Sequence, residues 1–424
     1  MLRAGITVSA LLIASAPAAL GVAPGAVEVR DEAGGVVATF AGPDAVQDAV
    51  SAVVTGRAPE SRAWSVVAGT GTYGDFAVKT PNLAVSADAG AQVVIGGTGL
   101  RDDTGGGCVD ITRGNVAITG LTCSTPPRTG VNVTLRNSEG GVSLSSLAIN
   151  RPGVDGIAVT GGRGVSITSP AITGPARDGI RLTALTTRNP SPISGGSITG
   201  AGRDGLRLAD DVRSVTVTGL TVAGSKGYGI ASDDAGNSDA SFSGVTVTGS
   251  GRDGVLLSGG TLRAALVASA VTGSAGAGVR LGDASGVRIS DVPVDGSNAD
   301  GDLVFDGEIR TGGSYDGLKA PDGPFSLAGE PRSVRISGVP AARAAVAAGG
   351  PARLSRRGAA VFVSATAQVA NRRVVLRFPS GSAVYRKSGS WAKVPSSRVL
   401  RTGLRASLGT SQLGTASSVY APFG

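Results

Sequence analysis

Apolar and polar residues alternate with a period of two along most of the chain. Ile157 and Val159 are apolar residues two positions apart, as are Ile180 and Leu182. This period predicts a strand with one buried face. Two further signals of the same kind follow within each unit, separated by turns rich in Gly, Asn, Asp and Ser. We therefore predict three short strands per unit, with helical periodicity nearly absent after about residue 55.

Glycine recurs in register with these strands, at intervals of 23 to 26 residues. The nine positions are Gly107, Gly130, Gly156, Gly179, Gly205, Gly229, Gly254, Gly278 and Gly301. A fixed period of this length marks stacked units that bury their inner faces against each other. Three short strands in each unit are typical of one turn, or coil, of a right-handed, single-stranded parallel β-helix. The predicted fold class is therefore all-β.

The flanking segments predict the domain organisation. Residues 1–23 are typical of a signal peptide, with Arg3 before a short apolar run and cleavage after Ala18 or near Ala23. A retained N-terminal anchor is the alternative. We predict an N-terminal hairpin and capping helix over 24–59, the parallel β-helix over 60–310, a linker over 311–331, and a basic C-terminal β domain over 332–424. No other segment is predicted to span a membrane, so we expect a secreted or cell-envelope protein.

Charge is distributed unevenly along the 424 residues, whose net charge is +8. Residues 331–424 carry 13 arginines and two lysines but no aspartate or glutamate, whereas residues 1–330 carry 24 basic and 31 acidic side chains. The basic tail could bind an anionic wall polymer, or it could be a basic β domain without such a partner. Nucleic acid is not expected as a partner, because an exported protein rarely meets it. The oligomeric state stays open.

Cys108 and Cys123 are the only cysteines. Export would allow a disulfide between them, closing a small loop near the first coils. Two buried thiols on neighbouring coils are the alternative.

Two stretches carry a resemblance to a known superfamily. Arg177–Leu182 reads Arg-Asp-Gly-Ile-Arg-Leu and residues 215–222 read Val-Thr-Val-Thr-Gly-Leu-Thr-Val. This pattern resembles the repeat of secreted right-handed β-helix proteins of the pectate-lyase-like superfamily, and residues 64–83 resemble that group's first coil. The resemblance covers roughly residues 45–310. It implies the fold, but not one activity, since members include lyases, hydrolases, epimerases and non-catalytic proteins.

The chain contains no histidine, which excludes Ser/His/Asp and Cys/His catalysis and the His-containing elements of related hydrolases and epimerases. Lyase chemistry by Lys or Arg remains, as does hydrolysis by paired carboxylates. We expect Lys226, Arg203 and Arg252 to form a column one coil apart, with Lys226 as base and an arginine neutralising a uronate. Asp204 and Asp253 would lie beside them and are further candidates for binding the sugar. The alternative is structural: Asp caps the turn, Gly is left-handed, and Arg pairs with Asp between coils.

Two acidic groups are further candidates. Asp233 and Asp234 could bind a sugar or serve hydrolysis, although adjacent loop residues seldom converge for catalysis. Asp295, Asp300, Asp302 and Asp306 lie in the densest acidic stretch and could hold Ca²⁺, with a solvated loop as the alternative. No cofactor is required by these residues.

The sequence therefore favours a secreted protein that binds extracellular polysaccharide or serves as a non-catalytic envelope or adhesion scaffold. The alternative is a lyase that cleaves an acidic, uronic-acid polysaccharide by β-elimination.

Overall fold

A computed structural model gives the fold as a stack of coils built from three parallel sheets. The structure describes residues 21–55, 63–96, 107–186, 189–234 and 236–282, then shorter segments between 284 and 421. Beyond residue 302 only the backbone of the strands is described.

A complete coil contributes one strand to each of the three sheets, and the first sheet also includes the N-terminal hairpin and the last two parallel strands. In spatial order, the first sheet contains Val36–Ala41, Ala26–Arg30, Trp64–Ala68, Leu83–Ala87, Val116–Thr119, Ser143–Ser145, Ser166–Thr168, Ser191–Ser194, Val215–Thr218, Ser241–Ser243, Ala265–Val267, Arg288–Ser290, Gly313–Asp316 and Val334–Ser337. The second contains Gly71–Gly74, Val93–Gly96, Leu121–Ser124, Ala148–Asn150, Ala171–Thr173, Ser197–Thr199, Thr221–Ala223, Thr246–Thr248 and Ala270–Thr272. The third contains Phe76–Val78, Val109–Ile111, Val131–Thr134, Ile157–Thr160, Ile180–Thr183, Leu206–Ala209, Ile230–Ser232, Val255–Leu257, Val279–Gly282 and Leu303–Asp306.

The predicted parallel β-helix is confirmed, and the glycine period sets its register. Third-sheet strands start directly after the repeated glycines, so that Ile157 pairs with Ile180 and Ile180 with Leu206 on successive coils. These three side chains are fully buried in one continuous core. Burying each such side chain contributes about 1.5–3 kcal/mol, and no coil could bury them alone.

The repeated glycines are needed for close approach between coils, not for a left-handed backbone. Gly156 and Gly179 lie outside the positive-φ residues. A Cβ on Gly156 would stand 2.5 Å from the carbonyl oxygen of Gly179 and 2.6 Å from Cγ2 of Ile172. The expectation of left-handed glycines at these positions is therefore wrong, because the restriction comes from the next coil rather than from φ.

The N-terminal segment closes one end of the core. Strands Ala26–Arg30 and Val36–Ala41 form an antiparallel hairpin, and the helix Ala45–Thr55 follows. Its apolar stripe, which includes Val46 and Val50, is buried in the core cluster. Oε1 of Gln47 accepts a hydrogen bond of 2.8 Å from the N–H of Ala77 in the first third-sheet strand. The helix therefore covers the open end of the stack, as the sequence predicts.

Parallel pairing extends past residue 310, where the sequence predicts that the coils end. Gly313–Asp316 pairs with Val334–Ser337 in the first sheet, and Glu308–Ile309 pairs with Glu330–Pro331. The predicted small C-terminal β region is an antiparallel sheet. Its strands are Leu354–Arg357, Ala360–Ala370, Arg373–Phe378, Gly381–Arg386, Arg405–Ser407 and Gly414–Ala421. Within the described residues, no helix is long and apolar enough to cross a bilayer.

Candidate functional site

Four buried aspartates stack in the turns that lead from the second sheet to the third. We call this the aspartate corner; its members are Asp155, Asp178, Asp204 and Asp253. Each uses a carboxylate oxygen to accept a backbone N–H from the following coil. Asp155 accepts from Asp178 at 3.1 Å, and Asp178 accepts from Asp204 at 3.2 Å. These carboxylates therefore join one coil to the next.

Arginines from the next coil cover the carboxylates. Nε of Arg177 donates to Asp155 at 2.8 Å, and Nε of Arg203 donates to Asp178 at 2.7 Å; a second guanidinium nitrogen pairs with the other oxygen in each case. The Asp178 side chain is fully buried, whereas that of Arg203 is 41% exposed. Burial raises the pKa of Asp178, and the Arg203 guanidinium opposes that rise.

Asp204 and Asp253, both predicted as sugar ligands, are bound within the corner. Oδ1 of Asp204 accepts the N–H of Tyr228 at 2.9 Å, and its Oδ2 lies 3.2 Å from Arg207. Asp253 accepts the N–H of Ala277 at 2.7 Å and pairs with Arg280 at 2.8 Å. Neither carboxylate is presented to solvent, since both side chains are buried.

Lys226 does not share a column with Arg203 and Arg252. The N–H of Gly227 donates to the carbonyl of Arg203 at 2.6 Å, and the N–H of Arg252 donates to the carbonyl of Gly227 at 3.0 Å. Glycine therefore occupies the column between the two arginines, and Lys226 lies one position earlier on its coil. Lys226 and Arg252 are both exposed, so the corner offers cations at its rim above buried carboxylates.

Arg252 lies against the ring of Tyr228. Its guanidinium carbon is 5.4 Å from the ring centroid, and Nη1 is 3.5 Å from the tyrosine hydroxyl oxygen. The hydrogen bond to Tyr228 raises the pKa of Arg252 further above its ordinary value. The guanidinium thus occupies one face of the aromatic side chain.

Asp233 and Asp234 converge on one arginine that sequence reasoning missed. Nη2 of Arg207, on the outward face of the third sheet, is 2.7 Å from Asp233 and 3.5 Å from Asp234. Burial raises the pKa of Asp233, although Arg207 opposes the rise. Arg207 stands beside Arg181 in the parallel register. The signal was an arginine two residues after both Gly179 and Gly205.

The calcium candidates lie outside the residues with described side chains. Asp295, Asp300 and Asp302 are not described, and for Asp306 only the backbone is. The neighbouring Asn298 is buried and accepts the N–H of Ser274 at 2.9 Å. In the described part of the chain, no group of three or more His, Cys, Asp or Glu residues is arranged to hold a metal ion.

Cys108 and Cys123 form a disulfide in the structure, with a Cα–Cα separation of 5.9 Å. The bridge ties the start of a third-sheet strand to the second sheet of the same coil, and both residues are buried in the core.

The fold places the chain among known β-helix proteins. No protein-family model matches the chain, and no curated protein matches it significantly. The A-module of mannuronan C-5 epimerase AlgE4 from Azotobacter vinelandii is similar in structure, with 15% identity, a TM-score of 0.50, and 70% of this chain and 92% of that chain covered.

Two further solved structures are more distant. Pectate lyase Pel9A has 12% identity and a TM-score of 0.41, covering 65% of this chain and 69% of that one. The catalytic domain of a GH87 α-1,3-glucanase in complex with nigerose has 11% identity and a TM-score of 0.42, covering 71% and 65%. The sheet topology gives the class of fold, a right-handed parallel β-helix. At such identities the likeness to the epimerase module concerns the fold alone.

Proposed function

We propose that this protein binds an acidic polysaccharide along the rim of the aspartate corner and does not cleave it. The observation that carries the proposal is the division of charge at the corner. The carboxylates of Asp155, Asp178, Asp204 and Asp253 are buried, whereas the side chains of Arg177, Arg203, Lys226 and Arg252 reach solvent. A ligand on this surface would therefore contact cations.

The repeat of the coils suits a polymer. Arg177 and Arg203 are one coil apart and Arg252 is two coils further on, with coils about 4.8 Å apart. Each guanidinium bound to an aspartate keeps further N–H donors free for a second anion, because arginine has five. A polyanion with regularly spaced carboxylates could contact several of these side chains at once, so that weak exposed contacts would add up.

Binding is favoured over lyase chemistry by the surroundings of Lys226. A lysine base is activated by desolvation or by a neighbouring cation that lowers its pKa. Lys226 is exposed, and it occupies a different column from Arg203 and Arg252. The carboxylates nearest to it are bound to backbone N–H groups and arginines, which leaves them poorly suited to proton transfer.

Export is part of the same proposal. A buried disulfide is typical of proteins that fold in an oxidising compartment, and the first 23 residues are typical of a signal peptide. The similar epimerase module is named for acting on mannuronan, a polysaccharide. An anionic wall polymer would be a second partner for the basic residues 332–424, and no calcium or other cofactor is invoked.

The test is affinity electrophoresis of the mature chain in gels that contain polygalacturonate, alginate, a glycosaminoglycan or a neutral glucan. We expect retardation by an acidic polymer and none by the glucan. The double substitution Lys226→Gln/Arg252→Gln should weaken binding about tenfold. Arg263→Gln is the matched control, since Arg263 is an exposed arginine paired with Asp239 away from the corner.

Ultraviolet absorbance of unsaturated product is followed in the same mixtures, with and without Ca²⁺. A rise that depends on Lys226 would establish the lyase alternative. Equal retardation by neutral and acidic polymers, or an unchanged double variant, would contradict the binding proposal.

A further inference from the structure

A separate groove lies at the opposite edge of the third sheet, where the chain turns toward the first sheet. Three arginines from successive coils line it: Arg113 follows the strand Val109–Ile111, Arg136 follows Val131–Thr134, and Arg163 follows Ile157–Thr160. The groove is open to solvent and has a volume of about 880 Å³. We call it the arginine groove.

Charge in this groove is unbalanced, unlike at the aspartate corner. Glu139 is the only carboxylate among the described lining residues. Its Oε1 is 3.6 Å from Nη1 of Arg113, and its Oε2 accepts the backbone N–H of Arg136 at 3.2 Å. Three guanidinium groups and one carboxylate leave a formal charge of +2. The groove therefore suits a ligand with two or more negative charges.

Glycines at the groove allow its coils to lie close together. A Cβ on Gly114 would stand 2.5 Å from the carbonyl oxygen of Gly140, and one on Gly140 would stand 2.7 Å from Cγ of Arg163. Coils can approach closely here only because these positions lack side chains. With coils about 4.8 Å apart, the three arginines are close enough for one ligand that crosses the coils to contact them.

Neutral polar groups complete the lining. Asn115, Ser138 and Asn189 are exposed at the groove and offer amide and hydroxyl groups. Inorganic anions need few such partners, whereas sugars present many hydroxyls that must be hydrogen-bonded. Cavities of about 300–1,000 Å³ are the usual size for small-molecule ligands.

We propose that the arginine groove is a binding site for a short acidic oligosaccharide that carries at least two carboxylate or sulfate groups. The acid groups pair with Arg113, Arg136 and Arg163, and the sugar hydroxyls bond to the asparagines and serine. The site uses none of the residues of the aspartate corner, so its presence does not depend on polymer binding there.

Titration calorimetry on the full chain tests the site with three probes: trigalacturonate, trimannuronate and a sulfated disaccharide. A neutral trisaccharide and inorganic sulfate serve as controls for sugar and for charge. We expect at least one acidic probe to bind the wild-type chain, and Arg136→Gln/Arg163→Gln to weaken it about tenfold or more. Arg136→Lys/Arg163→Lys keeps the charge and should lose less.

The matched control is Arg213→Gln. Arg213 lies at the same edge of the third sheet, several coils further along, and pairs with Asp211 at 2.7 Å. The affinity of the Arg213→Gln variant for the acidic probe should stay within about twofold of wild type. Circular dichroism and the thermal midpoint establish that each variant is folded.

Absence of binding by all three acidic probes, or unchanged affinity in the Arg136/Arg163 variant, would overturn the proposal. Equal binding of inorganic sulfate would reduce the groove to a general anion site and also overturn it. The Lys226/Arg252 variant separates the two proposals: it should keep trisaccharide affinity in the groove even where it loses polymer binding.

Discussion

The two edges of the third sheet use arginine in opposite ways. At the aspartate corner, Arg177 and Arg203 each cover a carboxylate that is itself bound to the backbone of the next coil. In the arginine groove, the described lining contains three arginines but one carboxylate, that of Glu139, which lies 3.6 Å from Arg113. The same side chain therefore supports stacking at one edge and leaves uncompensated charge at the other.

This difference shows that a repeated motif does not identify a site by itself: the corner is a candidate because Lys226 and Arg252 are exposed at its rim, not because arginine recurs there. A residue that recurs once per coil meets its own neighbours above and below, and its first partner is another coil. Arginines whose carboxylate partners do not recur stand apart from that pattern. Their charge is available to a ligand.

The largest expected contrast concerns glycine. Gly179→Ala should lower the free energy of unfolding by about 3 kcal/mol, because its Cβ would overlap the carbonyl oxygen of Gly205, 2.5 Å away. Gly164→Ala in the groove should cost only about 1 kcal/mol, since Gly164 has a φ of +60° but open space around its Cβ. Denaturation by guanidinium chloride measures both. Equal losses would mean that coil spacing does not restrict the corner.

A smaller contrast concerns the carboxylates. Asp178→Asn should cost about 2–3 kcal/mol, because the fully buried side chain accepts bonds from Arg203 and from the N–H of Asp204. Glu139→Gln should change stability by less than about 0.5 kcal/mol, as expected for a partly exposed residue at the surface. The same denaturation experiment compares them. A large loss for Glu139→Gln would show that the groove is held together by its carboxylate.

The smallest effect is a pH dependence at Asp233. Burial raises its pKa in the folded chain, so the folded state holds this proton at pH values where the unfolded chain has already lost it. The resulting stabilisation is complete below the unfolded pKa of about 3.9 and is lost as pH rises through the folded value. Asp233→Asn removes this pH-dependent stabilisation, which should amount to less than about 1 kcal/mol.

Unfolding of wild type and the Asp233→Asn variant at about pH 3 and about pH 7 measures the effect. The advantage of wild type over the variant should be greater at the lower pH. An advantage that grows with pH would show instead that Arg207 dominates and lowers the pKa of Asp233.

Much of the fold is predictable because its signals are local. The glycine at 179 and the alternation of Ile180 and Leu182 place a strand without any knowledge of its neighbours, and Ala45–Thr55 shows its buried stripe in the same way. The reason for the glycine is not local. Only the next coil shows that a side chain at Gly179 would meet Ile198 and Gly205.

The sites are harder to predict, because a shift of one residue changes which column a side chain joins. Gly227 aligns with Arg203 on the preceding coil, and Lys226 aligns with Gly202. The order of glycine and basic residue is therefore reversed on this coil. Counting from Gly229 alone does not show this exchange. The groove had a usable signal: Arg113, Arg136 and Arg163 follow successive glycines by six or seven residues. Their lack of matching carboxylates is visible only in the structure.

The chain of aspartates through the corner is broken at one place. The carboxylate of Asp204 accepts a hydrogen bond from the N–H of Tyr228. Tyr228 itself has no carboxylate that could accept the N–H of Asp253. The adjacent backbone hydrogen bond, from Gly229 to the carbonyl of Asp253, is 3.3 Å long, against 2.9 Å for the equivalent bond from Gly179 to Asp204. At this corner, the coils of Tyr228 and Asp253 are therefore joined by one side-chain hydrogen bond fewer than the coils of Asp155, Asp178 and Asp204.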